Sequence, residues 1–174
     1  MKNILHGGLM LDLLPDLFDT YADKLILLPP MFISYGKQEC FWGEVVTVKC
    51  FRDNSKVKEL LAQNGTGKVL VVDGQGVTDC ALLGDMIALS AAKNGWNGVV
   101  IYGCVRDVGT LKTIDLGVQA IGINPIKTEK KGIGEVNIAV EIYGVIISPQ
   151  SFIYADGNGV AVSNEALDIS VLNL

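Results

Sequence analysis

Residues 69–108 read VLVVDGQGVTDCALLGDMIALSAAKNGWNGVVIYGCVRDV, and the periodicity inside them sets the architecture. Val69-Leu70-Val71-Val72 is a short continuous apolar run, as expected of a strand buried on both faces, and Asp73-Gly74-Gln75-Gly76 ends it. Thr78 or Asp79 is placed to cap a helix through Leu82, Leu83, Met86, Ile87, Leu89 and Ala92, which Asn94-Gly95 stops. Gly98 to Tyr102 is a second buried strand. Strand, helix, strand at this spacing predicts a parallel core.

Outward from that unit, Val45 to Phe51 is β-branched and apolar, and Asp53-Asn54-Ser55 offers caps for a helix reaching about Gln63. Upstream, a helix is expected over Leu11 to Tyr21, followed by an extended segment with Pro29-Pro30. Downstream come a short helix near Leu111 and a strand from Gly117 to Ile123. Beyond Pro125, the alternation of Glu135 to Ile142 predicts a strand, with a hairpin break at Tyr143-Gly144 before Val145-Ile146-Ile147. Phe152-Ile153-Tyr154 and Val160-Ala161-Val162 flank the turn Asp156-Gly157-Asn158-Gly159, and residues 164–169 are expected to close the chain as a helix. The class is α/β, with mixed strands packed in layers, and residues 1–174 are read as a single domain.

Composition narrows the function. The 174 residues carry net charge −5, and no Lys/Arg run exceeds Lys130-Lys131, so a phosphate-backbone ligand has no electrostatic footprint and nucleic acid is not expected. Hydrophobic residues make up 49 % and mean hydropathy is +0.38, which predicts apolar surface buried between subunits of a homo-oligomer. Cys40, Cys50, Cys80 and Cys104 lie far apart with no C-x-x-C pair, the pattern of reduced thiols in a cytoplasmic protein. Leu25 to Ile33 is too short to span a bilayer, and no membrane segment is expected. Asn64-Gly65-Thr66 is accordingly read as a turn and not as a glycosylation site.

The same elimination applies to chemistry. A single histidine, His6, in a Gly-flanked N-terminal segment where a bystander is expected, nearly excludes Ser-His-Asp, Cys-His and His-cluster sites unless it is itself recruited. Asn64-Gly65-Thr66-Gly67-Lys68 lacks both the first glycine and the Ser/Thr of a phosphate loop, and Gly74-x-Gly76 lacks the third glycine of a dinucleotide loop. What remains is Gly84-Asp85, in the predicted helix, and Arg106-Asp107, in the loop after the next strand. Ligands of open parallel sheets gather beyond the carboxyl ends of strands, where Arg106 and Asp107 fall. Asp85 interrupts an apolar stretch, where an acid costs free energy unless paired, solvated or metal-bound. Hard carboxylate oxygens without His or thiolate point to Mg2+ or Mn2+. A structural salt bridge between Arg106 and Asp107 accounts for the same residues.

At these residues the chain resembles the family of the regulator of ribonuclease activity A and the related 4-hydroxy-4-methyl-2-oxoglutarate aldolases, through VVTVKCFRDN, GKVLVVDGQG, ALLGDMIALSAAKNGWNGVVIYGCVRDV and YADGNGVAVS. Asp85, twenty intervening residues, then Arg106-Asp107 has the spacing of that family's catalytically competent members. The resemblance implies a layered β/β/α swivelling-domain-like fold with a parallel core and added antiparallel strands, assembled as a homotrimer. It implies that Asp107 ligates a divalent metal (Mg2+ or Mn2+) and that Arg106 binds the substrate carboxylate and the developing enolate. Asp85 would order metal-bound water, and Gly84, Asp85, Met86 and Ile87 would contact substrate largely through backbone N–H groups. Such groups are free only at a helix N-terminus, so the resemblance moves the expected helix start from Asp79 to near Gly84.

The implied activity is lyase cleavage of a small 2-oxo acid, 4-hydroxy-4-methyl-2-oxoglutarate, with oxaloacetate decarboxylation through a shared pyruvate enolate. A metal-bound water, and not a side chain, is the expected general base for the aldol hydroxyl. Some members carry an acid where this chain has Thr110. A protein-binding regulator of a ribonuclease is the rival reading, which the acidic surface permits. Methyl transfer, once attached to relatives by name, has no glycine-rich cofactor loop to support it.

Overall fold

The computed structural model describes residues 12–172. Its helices are α1 (Leu14–Tyr21), α2 (Ser55–Leu61), α3 (Asp85–Lys93) and α4 (Val108–Leu111), with 3-10 turns at Ala22–Lys24 and Ile169–Val171. The strands are β1 (Ile26–Leu27), β2 (Ile33–Ser34), β3 (Phe41–Lys49), β4 (Lys68–Asp73), β5 (Ala81–Leu83), β6 (Gly98–Val105), β7 (Gly117–Ile123), β8 (Glu135–Val136), β9 (Val140–Ile142), β10 (Val145–Ile147), β11 (Phe152–Asp156) and β12 (Gly159–Ser163). Strands β3, β4, β6 and β7 pair in parallel at the centre of the main sheet, whose order is β1-β12-β11-β3-β4-β6-β7-β2. The flanking strands β11, β12, β1 and β2 pair antiparallel, and β5 lies parallel beside the end of β6.

Period-two alternation divides the central strands between two cores. Leu70 and Val72 of β4, with Val99, Ile101 and Val105 of β6, face α2 and α3. Val69, Val71 and Val100 face the β9–β10 hairpin through Val140, Ile142 and Ile147. The result is hairpin, sheet and helices as three layers, the expected β/β/α arrangement. Each of these fully buried Val, Leu and Ile side chains contributes about 1.5–3 kcal/mol of burial, which is why the strands read as unbroken apolar runs. A third cluster seats α1 (Leu14, Leu17) against Tyr154 and Ala161, and the Asp156 carboxylate accepts the Leu13 and Leu14 N–H groups at 2.7 and 2.8 Å.

Both hairpins form where expected. Tyr143 (φ 49°) and Gly144 (φ 79°) take the left-handed pair that a tight hairpin requires. Thr66 donates its N–H and hydroxyl to Asn64 Oδ1, so the expected turn is present there.

Three expectations need correction. The helix does not begin at Thr78 or Asp79: Ala81–Leu83 is strand β5 and α3 starts at Asp85, because the three buried residues gain a ladder against β6 that a helix would forfeit. The Asp79 carboxylate pairs with Arg52 at 2.8 Å instead of capping. Glu135 to Ile142 is two short strands, β8 and β9, broken at Asn137 (φ 55°), whose N–H turns to the Thr47 carbonyl. Residues 164–169 are not a helix. Leu167 N–H is drawn to the buried Tyr154 hydroxyl at 2.7 Å, and Asp168 caps only the 3-10 turn that follows, through Ser170 N–H. The expected helix over Leu11 to Tyr21 is described from Leu14 onward; Leu11, like His6, lies outside the described residues.

Candidate active site

Two turns leave the carboxyl ends of adjacent parallel strands side by side. Leu83, the last residue of β5, is in register with Val105 of β6, and its carbonyl accepts the Arg106 N–H at 2.9 Å. The turn after β5 is Gly84, the N-cap of α3; the turn after β6 is Arg106-Asp107. Asp107 holds a left-handed backbone (φ 57°, ψ 37°) as N-cap of α4, and its carbonyl accepts Thr110 and Leu111 N–H, both at 2.9 Å. Aspartate is among the few non-glycine residues that tolerate this region, and such conformations gather at functional sites.

The Asp107 carboxylate is thereby brought against the start of α3. Oδ2 accepts the Asp85 N–H at 3.1 Å and lies 3.6 Å from Arg106 Nε. The same approach explains Gly84. A Cβ there would stand 2.6 Å from Asp107 Oδ2 and 3.1 Å from Arg106 Nε, so a larger residue would have to displace the Asp107 carboxylate.

Asp85 is not inside an apolar helical stretch, as the periodicity implied. It is the first residue of α3, half-exposed, where the helix dipole favours an acid. Its Oδ1 accepts the Met86 N–H at 2.7 Å. Met86 is exposed, whereas the Ile87 side chain belongs to the helix-side core and has only its backbone to offer a ligand. The structure therefore brings Gly84, Asp85, Arg106 and Asp107 together. Two of the α3 first-turn N–H groups are engaged by the two carboxylates.

The donor set limits what the site could hold. Among the described residues no three His, Cys, Asp or Glu side chains converge on a cation. At most the Asp107 and Asp85 carboxylates are available, which suits Mg2+ or Mn2+ completing an octahedron with water, and not a zinc site needing three or four N/S ligands. The four cysteines are buried. Burial pushes the Cys40 and Cys50 thiols up to about 12 and raises those of Cys80 and Cys104, and none of the four belongs to the Gly84–Asp107 cluster.

A separate cleft of about 570 Å³ lies beside the approach to β5, lined by Arg52, Asp53, Asp79, Cys80, Lys127 and Thr128 among others. Its acids are already engaged. Asp79 pairs with Arg52, Glu129 pairs with Lys131, and Asp53 is saturated by donors from Ser55, Lys131 and Ile133. None of the residues of the Gly84–Asp107 cluster lines it.

Residues 13–162 match the RraA-like family described as Aldolase/RraA. The chain belongs to the Aldolase/RraA family. A Shewanella oneidensis protein named "Putative 4-hydroxy-4-methyl-2-oxoglutarate aldolase" is 57 % identical over 94 % of this chain and 100 % of its own length. A Pseudomonas putida protein of the same name is 55 % identical over 89 % and 95 %. Among solved structures, the RNA-processing inhibitor RraA of Thermus thermophilis superposes with TM-score 0.86 at 38 % identity, covering 91 % of this chain and 96 % of that one. The Aldolase/RraA scaffold thus matches the observed layers along nearly all of the chain.

Within this Aldolase/RraA chain, the resemblance correctly anticipated a helix start near Gly84, which periodicity alone had missed. Sequence reasoning did not find the contact between Gly84 and the Asp107 carboxylate, nor the residues behind β5. The only local signal was the glycine itself, between an apolar triad and an acid.

Proposed function

We propose that this chain is a divalent-metal-dependent carbon–carbon lyase that cleaves 4-hydroxy-4-methyl-2-oxoglutarate to pyruvate and decarboxylates oxaloacetate through the same pyruvate enolate. The observation that carries the reading is the convergence of the Asp107 carboxylate, the Arg106 guanidinium and the first N–H of α3 within 3.6 Å at the ends of two adjacent parallel strands. The names of relatives more than half identical over nearly the whole chain point the same way.

Each residue has a task that follows from its chemistry. Arg106, with its planar fork of donors, binds the 2-oxo acid carboxylate and the oxygen on which charge develops as the bond breaks. The segment Gly84 to Ile87 lends the same anion the dipole of the α3 N-terminus; the Asp85 and Met86 N–H groups, held here by the Asp107 and Asp85 carboxylates, would contact it by exchanging those partners. Asp107 would hold a divalent cation, with Asp85 ordering its water; bound there, the ion supplies Lewis acidity to the keto oxygen. In retro-aldol cleavage the C4 hydroxyl loses its proton to water, the C3–C4 electron pair moves to the keto oxygen, and C3 is later protonated. Decarboxylation delivers the same enolate by expelling carbon dioxide.

We further propose a homotrimer with sites near subunit interfaces. The Arg106 and Asp107 side chains are 38 % and 37 % exposed in the single chain, and Met86, Ile123 and Ile126 are exposed apolar neighbours in the fold or sequence of these turns. Four buried cysteines spaced far apart along the chain fit a reducing cytoplasm, and no described helix is long and apolar enough to cross a membrane. Residues 1–174 are proposed to form one folding unit.

The test is pyruvate release from both substrates with Mg2+ or Mn2+ and again after chelation. Metal-dependent release is expected, and Arg106→Ala and Asp107→Ala should each lower it at least about 100-fold while the fold is kept. Unchanged turnover in either variant would sink the assignment. The Thermus relative's description favours a second reading, inhibition of RNA processing. A ribonuclease partner bound through the surface would be indifferent to Asp107→Asn, so lost lyase activity with retained inhibition would separate the two functions.

A further inference from the structure

Strand β5 is only three residues long, yet it sets where Gly84 and the Asp85 N–H meet Asp107. One edge is held by β6, through Leu83 O and Arg106 N–H at 2.9 Å. Along the other edge, among the described residues, the only pairing is an isolated parallel bridge from Ala81 to Lys127. There the Ala81 N–H is taken by the Ile126 carbonyl at 2.7 Å, and the Leu82 carbonyl by the side-chain amide of Asn54 at 3.1 Å. Asn54 is in turn oriented by Thr128, whose hydroxyl donates to Asn54 Oδ1 at 2.8 Å and accepts the Asn54 N–H at 3.3 Å.

The orientation follows from donor and acceptor chemistry. Leu82 O only accepts, so the NH2 end of Asn54 must face it, and the Thr128 hydroxyl then has an oxygen to donate to. Asn54, Thr128 and Leu82 are 6 %, 5 % and 2 % exposed, so water does not stand in for any of these bonds at little cost. The segment carrying Ile126 and Thr128, residues 124–134, is itself pinned. Asp53 Oδ2 accepts the Lys131 and Ile133 N–H groups at 2.8 and 3.1 Å, and Ser55 Oγ accepts that of Gly132 at 3.0 Å.

We infer that Asn54 and Thr128 are positioning residues for the proposed lyase site: by clamping the outer edge of β5 they hold Gly84 and the Asp85 N–H in register with Arg106 and Asp107. The inference rests on the lyase reading for its kinetic consequence, but its geometric content stands apart from any activity. Displacements near 1 Å from a site's productive geometry cost on the order of 100-fold in rate, and Gly84 packs close enough that a Cβ on it would stand 2.6 Å from Asp107 Oδ2.

The experiment compares Thr128→Val, nearly the same shape without the hydroxyl, with Thr128→Ser, which keeps it. Steady-state pyruvate release is measured well below the melting temperature of each variant, and amide hydrogen exchange is followed across residues 81–88. Thr128→Val is expected to lower kcat about 10- to 100-fold and to speed exchange at the Asp85 N–H, while Thr128→Ser stays within about 3-fold of the parent on both readouts. A merely structural role would lower the melting temperature of Thr128→Val but leave kcat and Asp85 exchange of the folded protein at parent values, and that result overturns the proposal. So does equal loss in both variants, since the hydroxyl would then not be the agent. If the parent releases no pyruvate, the lyase reading fails and the exchange comparison alone decides the clamp.

Discussion

Asp107 and Gly84 form a reciprocal pair: the left-handed backbone of one aims a carboxylate at the place where the other lacks a Cβ. Because Gly84 has φ −132°, an ordinary extended value, alanine there meets no backbone strain, only the Asp107 and Arg106 side chains. Gly84→Ala should therefore fold, with an unchanged circular dichroism spectrum, and lose about 100-fold or more in pyruvate release; near-parent turnover would show that Asp107 yields freely. Asp107→Asn keeps a side chain tolerant of the left-handed region and an oxygen for the Asp85 N–H, but removes the charge a cation needs. Its melting temperature should stay within a few degrees while metal-dependent turnover falls about 100-fold or more. The twenty-residue spacing of Asp85 from Arg106-Asp107 was legible because both sit at strand-end turns of one sequence-local unit. Gly84's contact was not, since it exists only when the two turns lie side by side.

Among the elements, β5 shows where periodicity misled. Ala81, Leu82 and Leu83 are good helix formers in an apparently helical pattern, and the ladder to β6 overrides that preference. The 124–134 segment behind β5 has a titratable anchor. Burial raises the Asp53 carboxyl, but hydrogen bonds from the Ser55 hydroxyl and the Ser55, Ile133 and Lys131 N–H groups outweigh it and hold it down at about 2. A folded value below the unfolded one means that Asp53 contributes stability in full above roughly pH 4 and loses it as the pH falls toward 2. Asp53→Asn should flatten the acid limb of the stability curve in that window and cost about 1–3 kcal/mol at neutral pH, measured by denaturant titration. A parallel offset of the two curves across the whole pH range would contradict this assignment.

For the whole molecule, the three layers bury four thiols whose burial opposes ionisation, at about 12 for Cys40 and Cys50. The folded protein should react with iodoacetamide at neutral pH far more slowly than the unfolded chain, in which all four cysteines become available; rapid labelling of the native state would show an opening that the packing does not contain. Assembly is argued at the same scale. If the half-exposed site is completed between subunits, sedimentation equilibrium should give three times the 18.6 kDa chain mass, and a fully active monomer would refute the trimer.

Local chemistry was sufficient for much of this architecture. Apolar runs at β4 and β6 announce strands buried on both faces, Tyr143-Gly144 and Gly157-Asn158 announce hairpins, and the absence of phosphate-loop glycines removes whole classes of function. Those properties belong to residues a few positions apart, so the sequence by itself determined them. Tertiary structure alone decided that Ala81–Leu83 is a strand, that residues 164–169 follow Tyr154 instead of coiling, and that Gly84, Asp107, Asn54 and Thr128 act on one another. Each depends on hydrogen bonds or contacts between segments distant along the chain, and the free energy of satisfying buried polar groups across such gaps outweighs the tenths of a kcal/mol that local propensity supplies.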